Sequence, residues 1–435
     1  MRTALLVVIV ALLLTRTDAR AQLPSCPFGP GALPADTLPP GGLHGDAIPI
    51  EHIVVIMQEN RSYDHYFGRL RRVYGPPPGT TNPDPLGGDP IKPFHQRSYC
   101  EVADLDHSWN GSHLEFNGGA MDGFTAENVV TEDPNGSRAM GFYTRRDLPY
   151  YYKLFKKFAT SDTYFCSLLS QTFPNRYYLL AGTSFGEIRN NIPNLGGPEY
   201  TARTIFNLMD EAVPPVSWKI YYSDLPFAAL FGYVRINKLA TNAFAMGTND
   251  ATNPLLVDAA NGTLPQVSYV DPAFTGEAEN DEHPPTNIQK GQAFTAKIIN
   301  AIMNGPAWQS TVVFLTYDEH GGYFDHVVPP PACEPDATPP NLQPGDEPGA
   351  FDRYGIRVPM VAISPFSKKS FVSHTVYDHT SILRFIENRF DLPALTRRDA
   401  NADPMLDLFD FANPPFMTPP RLPAAVINPR HTECS

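Results

Sequence analysis

The sequence predicts a mixed α/β protein built on a largely parallel central sheet. Three short apolar, β-branched runs carry this prediction: 52–57 (HIVVIM), 311–315 (TVVFL) and 358–363 (VPMVAI). Each stops abruptly in polar residues, the form of a buried parallel strand opening into a loop. Helical spacing lies between and after them. Residues 291–303 place Phe294, Ile298, Ile299 and Ile302 on one face, and 381–390 do the same with Ile382, Phe385 and Ile386. Strands alternating with helices indicate a parallel-rich sheet with helical crossovers.

The other segments follow in order. Arg2, the apolar run 4–14 and Ala19-Arg20-Ala21 make residues 1–21 a signal peptide cleaved after Ala21, which predicts a secreted or periplasmic protein. The apolar run is roughly half of the ~20 residues a membrane span needs. Residues 22–50, rich in Pro and Gly, form an extended leader, 51–395 the main domain, and 396–435 a C-terminal tail. Within the main domain, 75–93 and 329–348 are Pro-rich loops. Residues 186–280, with many aromatics and few clear periods, predict a cap insertion.

Export removes Arg2, Arg16, Arg20 and Asp18, three positive charges and one negative, which takes the formal charge from −13 to −15. An acidic chain gains nothing overall from the attraction that drives binding to nucleic acids or anionic membranes, so a nucleic-acid partner is excluded. The five cysteines, Cys26, Cys100, Cys166, Cys333 and Cys434, are odd in number and contain no C-x-x-C pair. At least one thiol is therefore free or pairs between chains, and a thiolate zinc site is not indicated. Neither the pairing nor the oligomeric state is set by the sequence.

In open α/β sheets, ligands bind beyond the carboxyl ends of the strands. Glu59-Asn60 follows the first strand and Asp318-Glu319 the second. Four hard oxygen donors at two strand ends suit one divalent metal ion of unspecified identity. Taken locally, they read more readily as solvated strand-end acids. Thr172-Phe173-Pro174-Asn175-Arg176 has Pro where a first helical turn tolerates it. Thr172 there is either a helix N-cap or a nucleophile facing a phosphate at the helix N-terminus. His107, His113, His283, His326 and His379 lie in polar, turn-rich stretches that suit metal ligands, phosphate donors or a general acid.

Longer motifs separate these alternatives. The run from Glu59 to Gly68 (ENRSYDHYFG), Asp106-His107-Ser108-Trp109 with His113, Thr172 to Gly182, Glu282-His283-Pro284-Pro285, Thr316 to Val327 (TYDEHGGYFDHV), Tyr354 to Pro359 (YGIRVP) with Ile363-Ser364-Pro365, and Asp378-His379-Thr380-Ser381 occur in that order. Together they closely resemble the bacterial phospholipase C and acid phosphatase phosphoesterase family, over roughly residues 50–390. The resemblance implies an alkaline-phosphatase-like three-layer α/β sandwich. It implies that Glu59, Asn60, Asp318 and Glu319, with Thr172, bind the metal, and that Thr172 is the nucleophile. It implies that His107, His283 and His326 line the phosphate site, with His113, Asn175 and Arg176 as substrate contacts. One departure is His320, where family phospholipases often carry Asn. The tail after the last motif is also too short for the extra C-terminal β domain of many phospholipase members.

The implied activity is metal-dependent cleavage of phosphate esters through a phosphothreonine. The first expectation is a phospholipase C releasing diacylglycerol from phosphatidylcholine-like lipids, with transient membrane-surface contact. The alternative is a broad-specificity acid phosphatase on small phosphomonoesters. A choline-binding aromatic cage would favour the first, and Tyr150, Tyr151, Tyr152, Tyr221 and Tyr222 are the candidates.

Overall fold

The computed structural model describes residues 24–193 and 200–428. The signal-peptide expectation and Cys434 lie outside them. Ten strands are formed among the described residues: β1 (His52–Gln58), β2 (Phe94–His95), β3 (Gly141–Phe142), β4 (Ala159–Ser161), β5 (Trp218–Tyr222), β6 (Ala243–Ala245), β7 (Val267–Asp271), β8 (Thr311–Tyr317), β9 (Met360–Ile363) and β10 (Val372–Ser373). Eight of them make one sheet in the order β10-β4-β9-β8-β1-β7-β5-β6, while β2 and β3 pair separately. In β8 every residue is buried, and in β1 all but His52. Both faces of the sheet centre are therefore covered, which explains why these runs lack polar alternation.

The helices Thr172–Ala181 and His379–Phe390 pack on each other, and Ile288–Asn304 packs with Pro149–Lys157 and Pro254–Asn261. Phe314, at the centre of β8, is fully buried. Its ring centroid lies 5.1 Å from that of Phe385 and 6.4 Å from that of Phe409. Phe409 and Phe416, beyond residue 395, belong to the same core.

Two expectations are corrected. The run 358–363 yields a strand, but β9 is antiparallel to both β8 and β4. No helical crossover separates β8 from β9. The chain returns from the end of β8 through an irregular loop, and such a return delivers an antiparallel neighbour. The stretch 186–280 is not a cap set apart from the sheet, because it supplies β5, β6 and β7. Trp218, Ile220 and Tyr221 are buried in β5, so its aromatic character reflects a sheet interior.

Cys26 and Cys333 form a disulfide, tying the leader to the loop after β8, and Cys166 is free and buried. Among the described residues, no helix is long and apolar enough to cross a membrane.

Truncating Phe314 to Ala would empty the contact between the sheet and the helix His379–Phe390. Loss of such a buried ring costs about 3–5 kcal/mol. Urea unfolding should show a drop of that size, and a loss under about 1 kcal/mol would contradict the packing described.

Candidate active site

β1 and β8 are parallel neighbours, and Gln58 stands opposite Tyr317 at their ends. The segments that follow are stitched together. Asp318 N–H donates to the Gln58 carbonyl at 3.1 Å, Asn60 N–H to Asp318 Oδ1 at 3.1 Å, and Arg61 N–H to the Glu319 carbonyl at 3.0 Å. Asn60 turns the chain with φ of 61°. Gly321, at φ of 63°, must be glycine, since a Cβ there would sit 2.3 Å from the Asn60 carbonyl oxygen.

Thr172 is the first residue of the helix Thr172–Ala181, and Gln171 stands at the N-cap. It is therefore not the capping residue. Its hydroxyl points to Asn60 Oδ1 at 3.5 Å. Asn175, expected to touch substrate, instead holds the preceding turn. Its Oδ1 accepts from Ser167 N at 2.8 Å and Leu168 N at 3.1 Å, and its Nδ2 donates to the Ser170 carbonyl at 2.8 Å. Arg176, also expected at the substrate, lies buried among the acids. It reaches Glu59 Oε1 at 3.0 Å, Asp318 Oδ2 at 3.1 Å and Asp271 Oδ1 at 4.0 Å. Thr172 and Arg176 are four residues apart, so one helix face brings both to the strand ends.

His107 Nδ1 lies 2.8 Å from Glu319 Oε1, and its Nε2 lies 3.2 Å from Asp104 Oδ2. Asp104 also faces His283 Nε2 at 3.6 Å, and the two imidazole centroids are 5.7 Å apart. Exposure grades outward along this chain: the side chain of Glu319 is 0% exposed, His107 10%, His283 28% and Asp104 40%. The site thus opens on the histidine side. Asp104 could not be singled out in the sequence, because a loop acid three residues before a histidine has no distinguishing pattern.

His326 and His113 are placed elsewhere. His326 Nδ1 binds Asp64 Oδ2 at 2.6 Å in a cluster where Arg357 bridges Asp64 and Asp325. It makes no bond to Thr172 or to the strand-end acids. His113 donates to or accepts from nothing in the site; its Nδ1 meets the Trp109 carbonyl at 2.7 Å on the helix Trp109–Phe116. The aromatic-cage expectation is also corrected. Tyr150, Tyr151, Tyr152 and Tyr221 are core residues, with Tyr151 donating to Glu282, which leaves only Tyr222, half-buried at the end of β5, of the five candidates. The aromatics beside the acids are Phe227 and Phe274, whose rings cover the Arg176 guanidinium.

The charge balance of the site fits a divalent cation. Burial pushes Glu59 up to about 7 and Asp318 up to about 6, against the pull of Arg176. Burial would raise Glu319 too, but His107 and His320 hold it well below the usual range. Burial opposes protonation of His107, yet Glu319 and Asp104 keep its pKa well above the usual histidine value. Glu59, Asp318 and Asp271 thus share one arginine, and Glu319 Oε1 touches His107 without accepting a properly directed hydrogen bond. Carboxylate, amide and hydroxyl oxygens of this kind suit a hard ion. Asp104, His107 and His283 form a further group of three donors within 4.8 Å of one another.

His320 is buried between Glu115, at 2.6 Å, and Glu319, at 3.3 Å. Burial opposes its charge, but the two carboxylates raise its pKa to about 9. Burial raises Glu115 to about 7 despite His320. A raised histidine pKa contributes stability that is whole below pH 6.5 and lost as pH climbs through about 9. A raised carboxyl pKa gives the same sign between 4.5 and about 7. The melting temperature should therefore fall across this alkaline range, and His320→Asn should flatten the fall. Parallel slopes for the two proteins would show that the pair does not act in this way.

Residues 50–393 match the Phosphoesterase family. The chain is similar to Phospholipase C B of Mycobacterium tuberculosis, with 36% identity over 91% of this chain and 84% of that protein. Phospholipase C A of the same organism is 31% identical over 88% and 81%. Non-hemolytic phospholipase C of Burkholderia pseudomallei is 32% identical over 89% of this chain and 63% of its own length. A solved protein of the alkaline phosphatase superfamily from Vibrio parahaemolyticus aligns over 81% of this chain and 69% of that one, at 7% identity and a TM-score of 0.39. With the match running from the strand before Glu59 through the helix His379–Phe390, this chain belongs to the Phosphoesterase family.

Proposed function

We propose that this protein is an exported, metal-dependent phospholipase C that splits phosphatidylcholine-like lipids into diacylglycerol and a phosphorylated headgroup. The observation that carries the reading is the meeting of the Thr172 hydroxyl with Asn60 at the ends of β1 and β8, beside Glu59, Asp318 and Glu319. The phospholipase C names of the relatives support the diester substrate.

Glu59, Asn60, Thr172, Asp318 and Glu319 would hold the cation. When bound, it lowers the pKa of a coordinated hydroxyl and offsets charge on the phosphoryl oxygens. Thr172 Oγ attacks phosphorus in line, and its proton passes to water. The new P–O bond to Thr172 forms as the bond to the glycerol oxygen breaks. His283, the more exposed imidazole, protonates the departing alcohol. His107, kept cationic by Glu319 and Asp104, faces the phosphoryl charge. Water then attacks phosphorus as the bond to Thr172 Oγ breaks, His283 takes a proton from that water, and Thr172 Oγ regains its proton from solvent as the phosphorylated headgroup leaves. Arg176 acts from beneath by pairing with both Glu59 and Asp318, which fixes the two carboxylates in place and offsets their charge.

Thr172→Ala should lower turnover of p-nitrophenyl phosphorylcholine by about 10³-fold or more, and chelator should abolish wild-type activity. Near-normal turnover in that variant removes Thr172 as nucleophile, and chelator-insensitive activity rejects the metal. Faster hydrolysis of p-nitrophenyl phosphate than of phosphatidylcholine would assign the protein to phosphomonoesters instead.

A further inference from the structure

The net charge of −13 conceals a local reversal of sign. The helix Pro149–Lys157 buries Tyr150, Tyr151, Leu154 and Phe155 and turns Lys153 and Lys156 outward, with Lys157 half-buried at its end. Three more cationic segments adjoin it. Phe67 stacks on Phe155 with centroids 3.8 Å apart, which brings the exposed Arg69, Arg71 and Arg72 against the helix. The Arg69 guanidinium lies 4.3 Å over the Phe142 ring, and the exposed Arg145 and Arg146 follow Phe142 closely. At the far end, Ser370 N–H donates to the Lys157 carbonyl at 2.9 Å, directly after Lys368 and Lys369.

None of these ten cations has a carboxylate partner among the described residues, whereas cations elsewhere do, such as Lys219 with Asp258 and Lys238 with Asp210. The acids nearest in sequence are buried and already engaged. Asp64 is held by Arg357 and His326, Asp147 by His95 and Thr144, and Asp162 by His374 and the Tyr74 N–H. Lys156 and Lys157 complement the C-terminus of their helix. That accounts for two of the ten, and among the described residues the other eight have no carboxylate to offset a mutual repulsion that an external anion would relieve.

We propose that this face is a docking surface for an anionic lipid bilayer. A dense group of unpaired cations on an acidic molecule recognises an extended sheet of negative charge and turns one face of the molecule toward it. Tyr74, 53% exposed, follows Arg72 at the margin and is the kind of side chain that settles at headgroup level. The choice of a bilayer over an acidic protein rests on the proposed phospholipid substrate.

The test uses the full mature chain carrying Thr172→Ala, so that vesicles stay intact. Sedimentation is compared for phosphatidylcholine vesicles and for vesicles of roughly one-third phosphatidylglycerol, at low and high salt. Binding should require the anionic lipid and fade with salt. Arg71→Glu, Lys153→Glu and Lys156→Glu together should weaken it about tenfold or more, while Arg203→Glu, Lys297→Glu and Arg421→Glu, an equal charge change elsewhere, should alter it less than about threefold. Salt-insensitive binding, equal losses in both triple variants, or adsorption to polyglutamate in place of vesicles would overturn the proposal. In the Thr172 background, the patch triple variant should hydrolyse p-nitrophenyl phosphorylcholine as the wild type does, which verifies its folding. Anionic-vesicle binding in a protein with no diester turnover would reject the phospholipase reading and leave the patch standing. Diester turnover without anionic-vesicle binding would reject the patch alone.

Discussion

The site depends on the register between β1 and β8. Because Gln58 and Tyr317 stand level, two acidic segments leave the sheet at one height and are forced together. Their backbones approach so closely that Gly321 has no room for a Cβ against Asn60. The result is a buried concentration of negative charge that the sheet alone could not tolerate, since isolated buried carboxylates are expensive. Arg176 makes it tolerable. It arrives on the same helix as Thr172, so the proposed nucleophile and the counter-charge are delivered by one element, and the orientation of that helix is set by Asn175 bracing the turn before it.

Neighbouring carboxylates in this group are pushed in opposite directions. Glu59 and Asp318 are raised by burial, while Glu319 is held ionised between two imidazoles, each backed by its own acid. The alternation Asp104–His107–Glu319–His320–Glu115 therefore runs from the exposed mouth into the interior as a chain of opposite charges. Such a chain fixes ring orientations on both sides of Glu319, the way outer hydrogen bonds orient ligands around an ion. His320 is not a bystander substitution in this geometry. It is the link that joins Glu319 to Glu115.

How far the sequence could carry these conclusions varied with the kind of signal. The central strands were legible because burial on both faces leaves continuous β-branched runs, and the helix start at Thr172 was legible because Pro174 marks it. The direction of β9 was not, since strand composition is the same for either direction and only the connection decides it. Residues 186–280 misled because aromatic strands such as β5 have neither alternation nor helical period. Asn175 and Arg176 stood in the right motif, but a motif does not say whether a side chain faces outward to a ligand or inward to the acids. Asp104 carried no signal at all, as it is joined to His283 by folding across 179 positions of chain.

A net charge is a sum, and a sum discards position. In this chain the acids are disproportionately spent inside: Asp64, Asp162, Asp318, Glu319 and Glu115 are all buried, each with a cationic or imidazole partner. Those charges are neutralised by their neighbours and project little field into solvent. The lysines and arginines beside the helix Pro149–Lys157 have no such cover, so their field reaches outward to about one Debye length, roughly 8–10 Å in physiological salt. The sign a partner senses at any face is set by what is unpaired there, and beside the helix Pro149–Lys157 the unpaired charge is positive. The acidity that argues against nucleic-acid binding for the molecule as a whole is therefore compatible with attraction to an anionic surface at one face, and the rest of the acidic surface would then restrict which way the molecule lies on it.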